Sequence, residues 1–240
     1  MDFLFVLAIG LVAGTISGIV GTGSSIMLMP VLIYEYGPKQ AVPIMAIAAV
    51  MANLSRILAW WREVDWRACA AYSAPAIPAA ALGARTLLVL PSRIADICIG
   101  LFLIAMVPAR HWLARRRLKL SLWHLAVGGA AIGYLTGIVV STGPLSVPLF
   151  LFYGLTKGAF LATEAASSLG IYVSKSVIFQ RFGALTSEIA LKGLIAGASL
   201  MSGAFIAKRF VLRLEPEVFR RVMDAIMIVA GLSTLWTAFS

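Results

Sequence analysis

Residues 14–32 read GTISGIVGTGSSIMLMPVL and residues 133–151 read GYLTGIVVSTGPLSVPLFL. Both carry Gly-x-x-Ser/Thr-Gly-Ile-Val, then a break of small residues, then a proline and an apolar run, so the chain is duplicated with a period of about 120 residues. The correspondence continues outward from this pair. Asn53 and Ser55 fall opposite Ser174 and Ser176, Gly83-Ala84 opposite Gly203-Ala204, and Pro91 opposite Pro216, with one-residue slips between these anchors.

Each half reads as an interrupted apolar stretch, 3–36 and 123–154, followed by three helices: 39–60, 67–90 and 92–109 in the first half, 157–180, 187–208 and 217–238 in the second. The 240 residues are 61% hydrophobic and 12% charged, and the mean hydropathy is +0.95, an apolar excess that a soluble core cannot hide. Lipid is the expected solvent. At about 20 apolar residues per crossing the length allows roughly six to nine membrane segments and no additional soluble domain. The opening MDFLFVLAIGLVAGTISG has an acidic Asp2 and no clear small-residue cleavage site, and its likeness recurs in mid-chain, so it reads as part of the fold and not as a signal peptide.

The net charge of +10 comes from Lys and Arg placed between apolar runs, which makes it a topology signal and not a nucleic-acid surface. Arg110, Arg115, Arg116, Arg117 and Lys119 form the strongest cluster, so the central loop is expected in the cytoplasm. Lys208, Arg209, Arg213, Arg220 and Arg221 form the second cluster and should face the same side. Four plain crossings per half would place that cluster outside. A hairpin that enters and leaves on one side, plus three crossings, places both clusters inside and the termini outside. The turn around Arg62 and Arg67 against that around Arg181 agrees with the hairpin arrangement. An odd number of crossings inverts the halves relative to each other. The expected fold is therefore an all-α polytopic membrane protein of two inverted-topology repeats: 1–109, a basic linker 110–122, and 123–240, forming one integral membrane domain.

The breaks at Gly21-Thr22-Gly23-Ser24-Ser25 and Ser141-Thr142-Gly143-Pro144 interrupt helices at membrane depth, where unpaired backbone polar groups cost several kcal/mol. Such backbone is tolerated only inside protein or beside a polar cavity. A helix restarting after each break presents free N–H groups and a positive dipole end, and the Ser and Thr hydroxyls add uncharged donors, which together suit a small anion. The alternative is that small residues merely permit close helix packing, and Gly14-xxx-Gly18 and Gly133-xxx-Gly137 are better read in that way.

Arg56 and Lys175 stand at nearly matching repeat positions, each about 10 Å from its helix centre at 1.5 Å per residue. They suit cations that attract or gate an anion at two entrances, or snorkel to headgroups. Asn53, Ser55, Ser174 and Ser176 lie within a turn of them and can hold a desolvated oxyanion or bond neighbouring helices. Glu164 is the candidate proton-coupling carboxyl, with helix capping or pairing to Lys157 as the alternative. Cys69 and Cys98 belong to no metal or disulfide spacing, His111 and His124 flank the basic loop, and no P-loop occurs, so neither metal, cofactor, ATP-driven nor enzymatic chemistry is expected.

With GTGSSIMLMP at 21–30 and VDW at 64–66 inside REVDWR, the chain resembles the sulfite exporter TauE/SafE family of membrane permeases over nearly its whole length. It departs from that family's glycine-rich pattern in having Ser24 and Ser25 where glycines are usual, in STGPLSVP at 141–148, and in LTSE at 185–188 for the second polar turn. The resemblance implies a transporter of sulfite, sulfoacetate or related organosulfonates in the bacterial inner membrane, with a small anion and the bilayer as partners and a homodimer admitted. The extra hydroxyls at both tips leave room for a different anion.

Overall fold

A computed structural model of the chain describes residues 3–20, 24–114, 119–139 and 143–210, together with 224, 225, 228, 232, 235 and 236. Helices account for most of them: α1 Phe3–Val20, α2 Ser24–Trp60, α3 Trp66–Val89, α4 Ser92–Ala114, α5 Leu122–Ile138, α6 Gly143–Tyr153, α7 Lys157–Arg181 and α8 Ser187–Phe210. A single 3-10 turn, Trp61–Glu63, joins α2 to α3, and among the described residues there is no strand. Most of the expected helix 217–238, the basic residues 115–117, and Arg213, Arg220 and Arg221 lie outside the described residues.

The helices follow from long apolar runs punctuated by local stops. The expected boundary between 36 and 39 falls on Gly37, whose φ of 72° breaks α2 into a short arm and a long one. Gly154, with φ 110°, makes the equivalent turn between α6 and α7. Both positions need a residue without a Cβ, because L side chains are strained at positive φ. Asp65 of the VDW turn caps α3, its carboxylate accepting from the N–H groups of Arg67 and Ala68 at 3.0 Å each. The Asp65 N–H donates to Thr163 Oγ1 at 2.9 Å, which ties this turn to α7 in the second half. At the start of α5, His124 Nδ1 lies 2.8 Å from the Ser121 hydroxyl, a local capping role.

Small residues set the packing. α3 lies against α5 with Tyr72, Ala76 and Ala80 facing Gly129, Gly133 and Gly137, so the two helices run parallel. A Cβ at Gly133 would come within 2.7 Å of Ala76 Cα and collide with its carbonyl oxygen. The matching contact in the other half joins α1 to α8, where a Cβ at Gly14 would sit 2.7 Å from Leu200 Cα and one at Gly203 2.6 Å from the Thr15 nitrogen. These helices are also parallel. Two further pairs are parallel, the long arm of α2 with α8, through Ile47 on Gly193 and Met51 on Gly197, and α3 with α7, through Ser73 by Ser167 and Ile77 by Gly170, while α2 also packs against α7 and α4 against α6.

One buried cluster surrounds α2 where α1 and α8 meet it, including Leu28, Leu32, Met45 and Leu200. A second lies between α3, α5, α6 and α7, where the Tyr72 and Phe150 rings pack at 5.0 Å. The outward faces carry exposed Leu58, Leu82, Val89, Leu101, Leu191 and Leu194, which a soluble surface would not favour in such number. Lys39–Glu63 and Ser187–Ile206 are long and apolar enough to cross a membrane by length and composition.

Candidate functional site: a cavity between the restarted helices

The first turns of α2 and α6 line the same cavity. Ser24 and Ser25 come from the start of α2, Gly143 and Ser146 from the start of α6, and Asn53 and Arg56 from the long arm of α2. Tyr72 of α3, Thr136 of α5, and Glu164, Ser168 and Tyr172 of α7 complete the wall. The space inside it open to a water-sized sphere is about 30 Å³, so the cavity is largely filled by its own side chains. A helix start leaves backbone N–H groups without intrahelical acceptors, so two such starts around one cavity concentrate donors there.

An ion pair crosses this cavity from one half of the chain to the other. Arg56 Nη1 donates to Glu164 Oε2 at 2.9 Å, and Arg56 Nη2 donates to Asn53 Oδ1. Asn53 is oriented in turn by its Nδ2 donating to the Ala49 carbonyl at 2.8 Å. The second carboxylate oxygen of Glu164 accepts from Ser168 Oγ at 2.9 Å, and Ser146 Oγ, whose hydroxyl donates to the Gly143 carbonyl at 3.1 Å, lies 3.4 Å from it. Arg56 and Glu164 are only 8% and 3% exposed, so the pair is desolvated and depends on these hydrogen bonds. Arg56 Nε, also buried, has no partner among the described residues. An orphaned buried donor costs about 1–3 kcal/mol, which a ligand acceptor would relieve.

Lys175 does something different. It is wholly buried, and its Nζ donates to the carbonyls of Thr136 and Val139 at 2.7 and 2.8 Å. These belong to the last turn of α5 and its cap, where carbonyls lack intrahelical donors and the helix dipole is negative. Lys175 therefore clamps the end of α5 immediately before the second break, one layer behind the cavity wall. Neither Arg56 nor Lys175 snorkels to the surface, because each finds oxygen acceptors inside.

Of the residues singled out from the sequence, Ser24, Ser25, Asn53, Arg56, Gly143 and Glu164 are brought together at the cavity. Gly21, Thr22, Gly23, Ser141 and Thr142 lie outside the described residues. Ser174 takes the helix-bonding alternative, donating to the Ile77 carbonyl at 3.2 Å, while Ser55 and Ser176 bond back to the carbonyls of Ala52 and Tyr172 in their own helices. Among the described residues the Glu164 carboxylate takes Arg56 and Ser168, and the Lys157 side chain of the capping or pairing alternative lies outside them. Tyr72, Thr136, Ser146, Ser168 and Tyr172 were not picked out. Ser168 was within reach of helical spacing, one turn after Glu164, and Ser146 sits just past the second break.

An all-helical, apolar molecule whose interrupted helices restart on one buried, donor-rich cavity has the build of a membrane transporter. Residues 6–234 match the model of the sulfite exporter TauE/SafE family, and the chain belongs to that family. The probable membrane transporter protein YjnA of Bacillus subtilis (strain 168) is 20% identical to it over 253 residues, covering 96% of this chain and 98% of that one. No solved structure matches.

Proposed function

We propose that the protein is a secondary transporter that exports small sulfur-containing anions, such as sulfite, sulfoacetate or related organosulfonates, across the bacterial inner membrane. The observation that carries this reading is the meeting of the α2 and α6 starts around Arg56, whose Nε lacks a partner among the described residues. Backbone N–H groups, hydroxyls and one guanidinium form a donor set matched to a compact oxyanion. In this reading Gly21 to Ser25, Ser141 to Gly143 and Asn53 hold the anion, Arg56 and Lys175 supply positive potential, and Glu164 carries a coupling proton.

The parallel helix pairs support inverted repeats. α5 runs parallel to α3, and α7 does too, so the stretch between their starts leaves from and returns to one end of the bundle. α1 and the long arm of α2 both run parallel to α8, so the first interrupted stretch leaves from and returns to the opposite end. Two hairpins thus reach the cavity from opposite faces, and rocking of one half against the other exposes it alternately. On this arrangement the turn bearing Arg62 and Arg67, Lys119 and the end of α8 share one face, which the positive-inside rule makes cytoplasmic.

Proteoliposomes loaded with sulfite, sulfoacetate or methanesulfonate test the function. Counterflow of at least one of these anions that empty liposomes lack is the expected result. No flux of any of them under any imposed gradient, with the protein folded and inserted, would refute it.

A further inference from the structure

We infer that Glu164 is a tethered competitor of the transported anion, so that the anion takes Arg56 only as Glu164 gains a proton. The inference rests on the anion-transport reading above and specifies how its site is filled. Glu164 already makes the contacts an oxyanion would make: one oxygen on the Arg56 guanidinium at 2.9 Å, the other on the Ser168 hydroxyl at 2.9 Å with Ser146 Oγ alongside. The serines come from α7 and α6, the guanidinium from α2, and the carboxylate reaches across 108 residues of chain to hold them. The occupied state is therefore closed by the protein's own anion.

Charge then sets the stoichiometry. Arg56 and Glu164, 8% and 3% exposed, neutralise each other, and an anion that takes the guanidinium leaves the Glu164 carboxylate buried without its cation. One proton from solvent on the Glu164 carboxylate removes that charge and frees Nη1 to donate to an incoming oxygen, while the Nε–H, on the guanidinium edge shared with Nη2 and without a partner among the described residues, is a second donor. The groups that face Glu164 among the described residues come from every element around the cavity. From α2 it meets Arg56 and Asn53, from α3 Tyr72, from α5 Thr136, from α6 Ser146, and on its own helix Ser168 and Tyr172. Lys175 is turned to the carbonyls of α5 and the Phe179 ring, which occupy its ammonium.

The test uses methanesulfonate, whose own charge does not change across the working pH range. Titration calorimetry of the whole purified protein, repeated in two buffers of different ionisation enthalpy, reads the protons taken up per anion bound. Close to one proton per anion is expected at alkaline pH, with affinity falling about tenfold per pH unit there. Glu164→Gln should bind with the same affinity at every pH and more tightly than the parent protein at alkaline pH. Binding with no proton uptake by the parent protein overturns the competition while leaving the anion site standing. Absence of methanesulfonate, sulfite and sulfoacetate binding at every pH overturns both. If Glu164→Gln fails to fold, the same uptake by Lys175→Met assigns the proton to Glu164, and its loss there overturns the competition.

Discussion

Replacing Arg56 by Met leaves the Glu164 carboxylate buried with two hydroxyls and no cation. At 2.9 Å and an effective dielectric near 20, the lost Coulomb attraction is about 6 kcal/mol gross. Part of it offsets the desolvation of the guanidinium, and loss of one member of a buried pair costs about 3–5 kcal/mol net. That is a large share of the stability of a domain. The double variant Arg56→Met with Glu164→Gln removes both charges and keeps neutral donors and acceptors beside Ser146 and Ser168, so it should regain most of the loss. Equilibrium unfolding in mixed detergent, with the single variants and the double forming a cycle, measures this. A coupling above about 2 kcal/mol is expected, since residues in contact do not add. A single Arg56→Met loss below about 1 kcal/mol, or a double variant equal to the sum of the singles, would refute the buried pair.

Gly133→Ala should destabilise the protein by about 1–3 kcal/mol, read as earlier thermal unfolding, because its Cβ meets the α3 backbone and not a movable side chain. Lys175→Met should leave the last turn of α5 without its two ammonium hydrogen bonds, speeding amide exchange around Thr136 to Val139 by at least tenfold while α3 remains protected. In a background without Cys69 and Cys98, single cysteines at Lys119 and Phe182 should react with an impermeant thiol reagent from opposite sides of the membrane. Labelling from the same side would dismantle the inverted arrangement.

Much of the scaffold is legible in the sequence because its signals are local. The apolar runs, Gly37 at the expected boundary and the Asp65 cap each depend on neighbours within a few residues. The spacing of Gly133 and Gly137 marks them as packing residues, and both sit on the α3 backbone. The site is only half legible. The repeat points to Ser24, Ser25 and Gly143, and burial of polarity in an apolar helix points to Asn53, Arg56 and Glu164. Which of these meet is set by packing across the duplication, where no periodicity speaks. Arg56 and Lys175, read at nearly matching positions in the sequence, face a carboxylate and a helix end respectively, because their partners come from different packed helices. Tyr72 reaches the cavity from α3 only through the α3 and α5 contact, which depends on tertiary structure.

The most direct measurement is a structure determined with 2-bromoethanesulfonate, the bromine located by its anomalous signal. The sulfonate is expected between Arg56 and the starts of α2 and α6, within hydrogen-bond distance of Arg56 Nε, with Glu164 withdrawn from the guanidinium. An ordered sulfonate elsewhere in the molecule, with the Arg56 and Glu164 pair intact and the cavity empty, would contradict the account.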